Sequence, residues 1–176
     1  MGINQDVLLS PIHNIFIELV IGPTCSIIYE NEPAERNIMY QKPRPFSDTF
    51  FNLSELTTSA IQGIAITIGV LSVYWFSVAH GYGEAITRTI VFITLITSNI
   101  TLTLVNRSFI YYILTTLKYK NKLVGIIIGS TILSVSTILY IEPVTRFFQF
   151  ERLEVLQLIS AIVIGFLSVI WYESVK

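Results

Sequence analysis

Residues 12–29 read IHNIFIELVIGPTCSIIY, an apolar run with a single acidic side chain, Glu18, near its centre. A carboxyl group at bilayer depth costs roughly 2.5–3.5 kcal/mol on insertion scales, so it is rarely placed there for packing alone. Asn14 lies four residues before Glu18 and Gly22 four after it, which puts all three on one face of a helix. Gly22-Pro23 is expected to interrupt that helix, because Pro23 has no N–H for the carbonyl one turn earlier. A carboxylate, a carboxamide and loosened carbonyls at one depth make an oxygen-rich place for a cation. The same groups also suit a buried polar contact between helices, and both readings stay open.

Composition identifies the solvent. Of 176 residues, 52% are hydrophobic and only 13% charged, with a mean hydropathy of +0.66. A soluble domain carries about 25% charged residues, so the deficit points to lipid. A formal net charge of −1 gives no support for a nucleic-acid partner. The single cysteine, Cys25, excludes an intramolecular disulfide and a cysteine-based metal cluster, and reads as a small apolar residue at a helix interface. No Lys or Arg precedes the first apolar run, so no cleavable signal peptide is expected.

Four further apolar segments follow, over residues 57–79, 85–105, 123–141 and 155–172. At about 1.5 Å per residue each is long enough for a hydrocarbon core near 30 Å. Only helices or closed barrels satisfy their backbone in lipid, and continuous apolar runs without strand alternation select helices. The expected fold is therefore an all-α integral membrane bundle of five transmembrane helices. It forms one membrane domain over residues 1–176, with no soluble domain. Arg36, Lys42, Arg44, Arg107, Lys118, Lys120, Lys122 and Lys176 fall on one side of these spans, and Arg88, Arg146 and Arg152 on the other. That bias places the N-terminus outside and the C-terminus in the cytoplasm. Tyr111, Tyr112, Phe147, Phe148, Trp171 and Tyr172 fall at the expected interfaces as aromatic belts. Arg88 is expected to snorkel to the outer interface.

Catalytic signatures are missing. Asp6 and Asp48 are the only aspartates, and neither lies in an Asp-Lys-Thr-Gly phosphorylation motif. There is no phosphate-binding Gly-x4-Gly-Lys-Ser/Thr loop and no serine with a credible base partner, so no catalytic residue is assigned. His13 and His80 lack neighbours at metal-ligand spacing and read as interfacial polar residues. Sequons at Asn52, Asn99 and Asn106 fall at membrane depth or on the cytoplasmic side, where no glycan is expected. Ser98 reads as a hydrogen bond across helices. Asn14 and Asn99 are balanced between that role and a cation pathway. Gly63 and Gly69 read as points of close helix contact.

The stretch from Pro11, PIHNIFIELVIGPTCSIIYENEPAERNIMYQKPR, carries Glu32-Pro33-Ala34, Asn37-Ile38-Met39 and Lys42-Pro43-Arg44. It resembles the sixth transmembrane helix and following loop of P-type cation-transporting ATPases of the calcium-pump type. Residues 87–92 (TRTIVF) and 106–108 (NRS) resemble the two ends of that family's eighth helix. Residues 141–144 (IEPV) with Phe147-Phe148 resemble its last outer loop, and 171–176 (WYESVK) the end of its tenth helix. The resemblance covers essentially the whole chain, in order.

It implies that the five spans correspond to helices six to ten of a ten-helix pump, without the phosphorylation, nucleotide-binding and actuator domains. Met1 then starts just before helix six, as expected of a split product, a truncated reading frame or a degenerate copy. Glu18 falls on a cation-liganding position, whereas Gly22 stands where the family has an aspartate. Asn99 falls where some members place an acid, and Ile21 where Thr is frequent. A Ca²⁺ ion takes six to eight oxygens, so Glu18, Asn14 and Asn99 form a cation site only if a partner completes it. That partner would carry the missing helices and cytoplasmic domains and mate with polar faces of the first and third spans. The location implied is a multi-pass position in the plasma membrane, with no cofactor in this chain and no ATPase activity of its own. The alternatives are a non-catalytic membrane scaffold or regulatory subunit, and an inactive gene remnant.

Overall fold

The computed structural model describes residues 9–31, 53–107 and 121–174. Among them the order is α1 (Pro11–Glu30), α2 (Leu53–Ala79), α3 (Glu84–Val105), α4 (Lys122–Tyr140), α5 (Glu142–Phe147) and α6 (Val155–Ile170), closed by a 3₁₀ turn over Trp171–Ser174. Each of the five expected segments is helical. Four helices among the described residues are long and apolar enough to cross a membrane: Leu56–Ala79, Glu84–Val105, Lys122–Tyr140 and Val155–Glu173. The chain is thus an all-α, multi-pass integral membrane bundle. The loop motifs at 32–44, the belt tyrosines Tyr111 and Tyr112, and several basic residues of the expected charge bias lie outside the described residues.

α3 is the hub. In its apolar window 67% of residues are buried, against 17% in each of the other three. It packs along α6 and α2, and these two also pack on each other. Small residues set the spacing. A Cβ on Gly165 would sit 2.7 Å from the Thr94 carbonyl and 2.9 Å from the Thr97 Cβ, so only glycine lets the α3 and α6 backbones approach this closely. Ala161 and Val169, one turn to either side, are buried on the same face. A Cβ on Gly69 of α2 would meet the Ser168 Cβ at 2.9 Å, whereas nothing lies within 4 Å of one on Gly63. Close helix contact therefore holds for Gly69 and not for Gly63.

Hydroxyls and amides fasten these surfaces. The Ser98 hydroxyl lies 3.1 Å from both the Gly165 carbonyl and the Ser168 hydroxyl, as expected of a cross-helix bond. Gln62 of α2 and Asn106 at the end of α3 exchange amide hydrogen bonds of 3.1 and 3.2 Å. Asn121 caps α4 by accepting from the Leu123 N–H and donates to the Ile28 carbonyl, tying the end of α1 to the start of α4.

At the opposite end α5 folds over the bundle. The Thr145 hydroxyl reaches the Ile138 carbonyl at 2.7 Å, and the Glu151 N–H donates to Thr89 Oγ1 at 3.1 Å. Arg88 differs from expectation. Its guanidinium is buried and donates to both the carbonyl and side-chain oxygens of Gln149, because the loop after α5 brings those acceptors inside the interface. Phe148 differs likewise. It is buried among His13, Phe16 and Phe150, while Phe147 beside it is 66% exposed in a belt position.

Candidate functional site

Asn14, Glu18 and Gly22 all lie on the exposed side of α1, at successive turns. The opposite side holds the helix in place. His13 is fully buried, with its Nε2 2.8 Å from the Phe148 carbonyl and its Nδ1 3.3 Å from the Ser10 carbonyl, so an acceptor faces each ring nitrogen. Its ring meets Phe92, Phe148 and Phe150. At the far end Ile28 is buried, and the Cys25 sulfur lies 2.9 Å from the Thr103 hydroxyl. His13 and Ile28 thus anchor α1 to the bundle and turn Glu18 away from it.

The helix is not interrupted. α1 continues as a regular helix across positions 22 and 23. A proline inside a helix removes one N–H, and membrane helices tolerate that where other donors serve the freed carbonyls. The oxygen-bearing side chains on this face are therefore Glu18 and Asn14, carried on an unbroken helix rather than on an unwound backbone.

Asn99 sits elsewhere. Its amide donates to the Leu95 carbonyl at 2.8 Å, and it lines a cavity of about 20 Å³ with Cys25, Ile28, Thr103 and Thr131. Neither Glu18 nor Asn14 lines that cavity. The helix brings Asn14 and Glu18 together and leaves Asn99 inside the α1–α3–α4 junction. Among the described residues no three His, Cys, Asp or Glu side chains gather as they would to hold a metal ion.

Sequence reasoning missed the Gln62–Asn106 pair and the Cys25–Thr103 contact. Both join residues far apart in the chain, 44 and 78 positions, so local spacing carried no signal of them. Polar residues inside apolar runs were the available clue, since each demands a partner in lipid.

Residues 6–176 match the family described as "Cation transporting ATPase, C-terminus". No curated protein sequence matches the chain.

Proposed function

Because the chain belongs to the C-terminal family of cation-transporting ATPases, we propose that it is a membrane domain of the calcium-type pumps that braces and completes a cation pathway. The carrying observation is the exposure of Glu18, Asn14 and Gly22 on α1 while the other side of that helix is anchored to the bundle. A carboxylate facing hydrocarbon is costly, and a facing protein surface that supplies further oxygens relieves that cost. In this reading α1 is a fifth membrane crossing, the N-terminus lies outside, and the location is the plasma membrane. The facing surface belongs to a chain carrying the remaining helices and the cytoplasmic domains of such a pump. The cation, Ca²⁺ or a monovalent ion, is bound only in that assembly, because Glu18 and Asn14 supply too few oxygens alone. The isolated chain hydrolyses no ATP.

Co-expression with such a partner tests the reading. The two chains co-purify in mild detergent, and Glu18→Gln lowers cation flux in the reconstituted complex at least several-fold while association persists. Failure to associate, or flux indifferent to Glu18→Gln, counts against it. The scaffold alternative predicts that second result.

A further inference from the structure

α4 packs on α1 and α5, and a groove of about 250 Å³ separates its outer half from α3 and α6. The groove runs from Ile93 to Ile100 on α3 and from Thr131 to Leu139 on α4, with Leu158 and Ile162 of α6 closing one side. Its walls are mostly hydrocarbon, with the Thr97, Thr131 and Ser136 side chains among them. The Thr131 hydroxyl is already bonded to the Ile127 carbonyl at 3.0 Å, so it asks nothing of an occupant.

We infer that this groove holds one acyl chain of a bilayer phospholipid. Continuity is the first argument. Ile132 and Ile162 line the groove and are 56% and 43% exposed, and they run on into exposed Leu133 and Val163. The groove therefore opens onto exposed apolar faces of α4 and α6, two of the helices long and apolar enough to cross a membrane. Size is the second. Eight to nine residues of helix, seven to eight rises, span about 10–12 Å, so the volume corresponds to a mean cross-section of about 20 Å². A helix about 10–12 Å across cannot enter such a slot, but a single extended hydrocarbon chain can. Covering the exposed Ile132 and Ile162 side chains with the chain supplies dispersion contacts that an empty slot lacks.

The test uses the full chain reconstituted in phosphatidylcholine vesicles doped with phosphatidylcholine bearing a diazirine midway along one acyl chain. After photolysis, adducts are mapped by peptide mass spectrometry. Adducts on residues 131–139 and 158–162 are expected to exceed those on the lipid-facing Ile64, Ile68 and Leu71 of α2 several-fold. Val135→Phe, which narrows the groove, brings that excess down to the α2 level, as does Ser136→Leu. Leu71→Phe leaves the excess intact. Equal yields in the native chain overturn the inference, as does an excess that survives both groove substitutions. Loss of the excess on assembly with a partner chain also overturns it, because protein rather than lipid then covers the groove. Should neither groove variant fold, the ratio in the native chain decides.

Discussion

At Gly165 one hydrogen atom in place of a methyl group sets the distance between two helices. Gly165→Val puts a branched side chain against the Thr94 carbonyl and Thr97, where a Cβ alone would already lie within 3 Å. Overpacking of this kind costs about 1–3 kcal/mol, read as a lowered melting temperature in detergent. Gly63→Ala, with nothing within 4 Å, leaves the melting temperature within error. The Gln62–Asn106 pair makes a second residue-scale prediction. Either single substitution to leucine strands a polar amide, costing about 1–3 kcal/mol, and the double substitution costs less than the sum. Local sequence does not separate the fates of the two α2 glycines. Gly63 and Gly69 stand in similar apolar surroundings, and only the course of α6 past α2 distinguishes them.

Helices themselves were readable because length and apolarity decide them in lipid. α3 and α6 begin within one residue of the expected limits. What periodicity could not reveal was α5, six residues opening with Glu142-Pro143 inside what reads as a loop. Its place is fixed by distant partners, namely His13 on Phe148, Arg88 on Gln149 and Thr89 on Glu151. Gln149 itself adopts a positive φ of 53°, which turns the chain from α5 back over the bundle. Arg88→Met removes both bonds to Gln149 and leaves its carbonyl without that donor. Faster proteolysis between Phe147 and Glu154 is the expected outcome, with helix content by circular dichroism unchanged; equal cleavage rates would show that Arg88 is dispensable to the loop.

Across the whole molecule, the N-terminal ends of α1 and α3 meet α5, while the end of α1 meets the start of α4. The helices therefore alternate in direction, as charge bias suggested. The side of the membrane each end faces is a prediction of the proposed topology. In a Cys25→Ser background, which keeps a hydroxyl-sized partner for Thr103, Glu151→Cys labels with an impermeant maleimide from outside intact cells. Asn31→Cys labels only after permeabilisation. Reversed labelling would invert the bundle and place Arg88 and Arg146 in the cytoplasm. The site was only partly readable at this scale. The common face of Asn14, Glu18 and Gly22 follows from helical spacing, but the seclusion of Asn99 depends on how α1 and α4 close around it.

The central helix has a consequence for biosynthesis. α3 carries Thr87, Thr89, Thr94, Ser98, Thr101 and Thr103 on buried positions, so much of its surface is shielded by sibling helices instead of lipid. During synthesis α3 emerges before α6 exists to cover Ser98, and only His80, Gly81, Tyr82 and Gly83 separate helix from helix as it follows α2. Such a segment leaves the translocon as a hairpin with its predecessor, and ribosome-bound chains ending soon after Val105 would therefore linger beside the insertion machinery, whereas chains long enough to expose α6 would leave it.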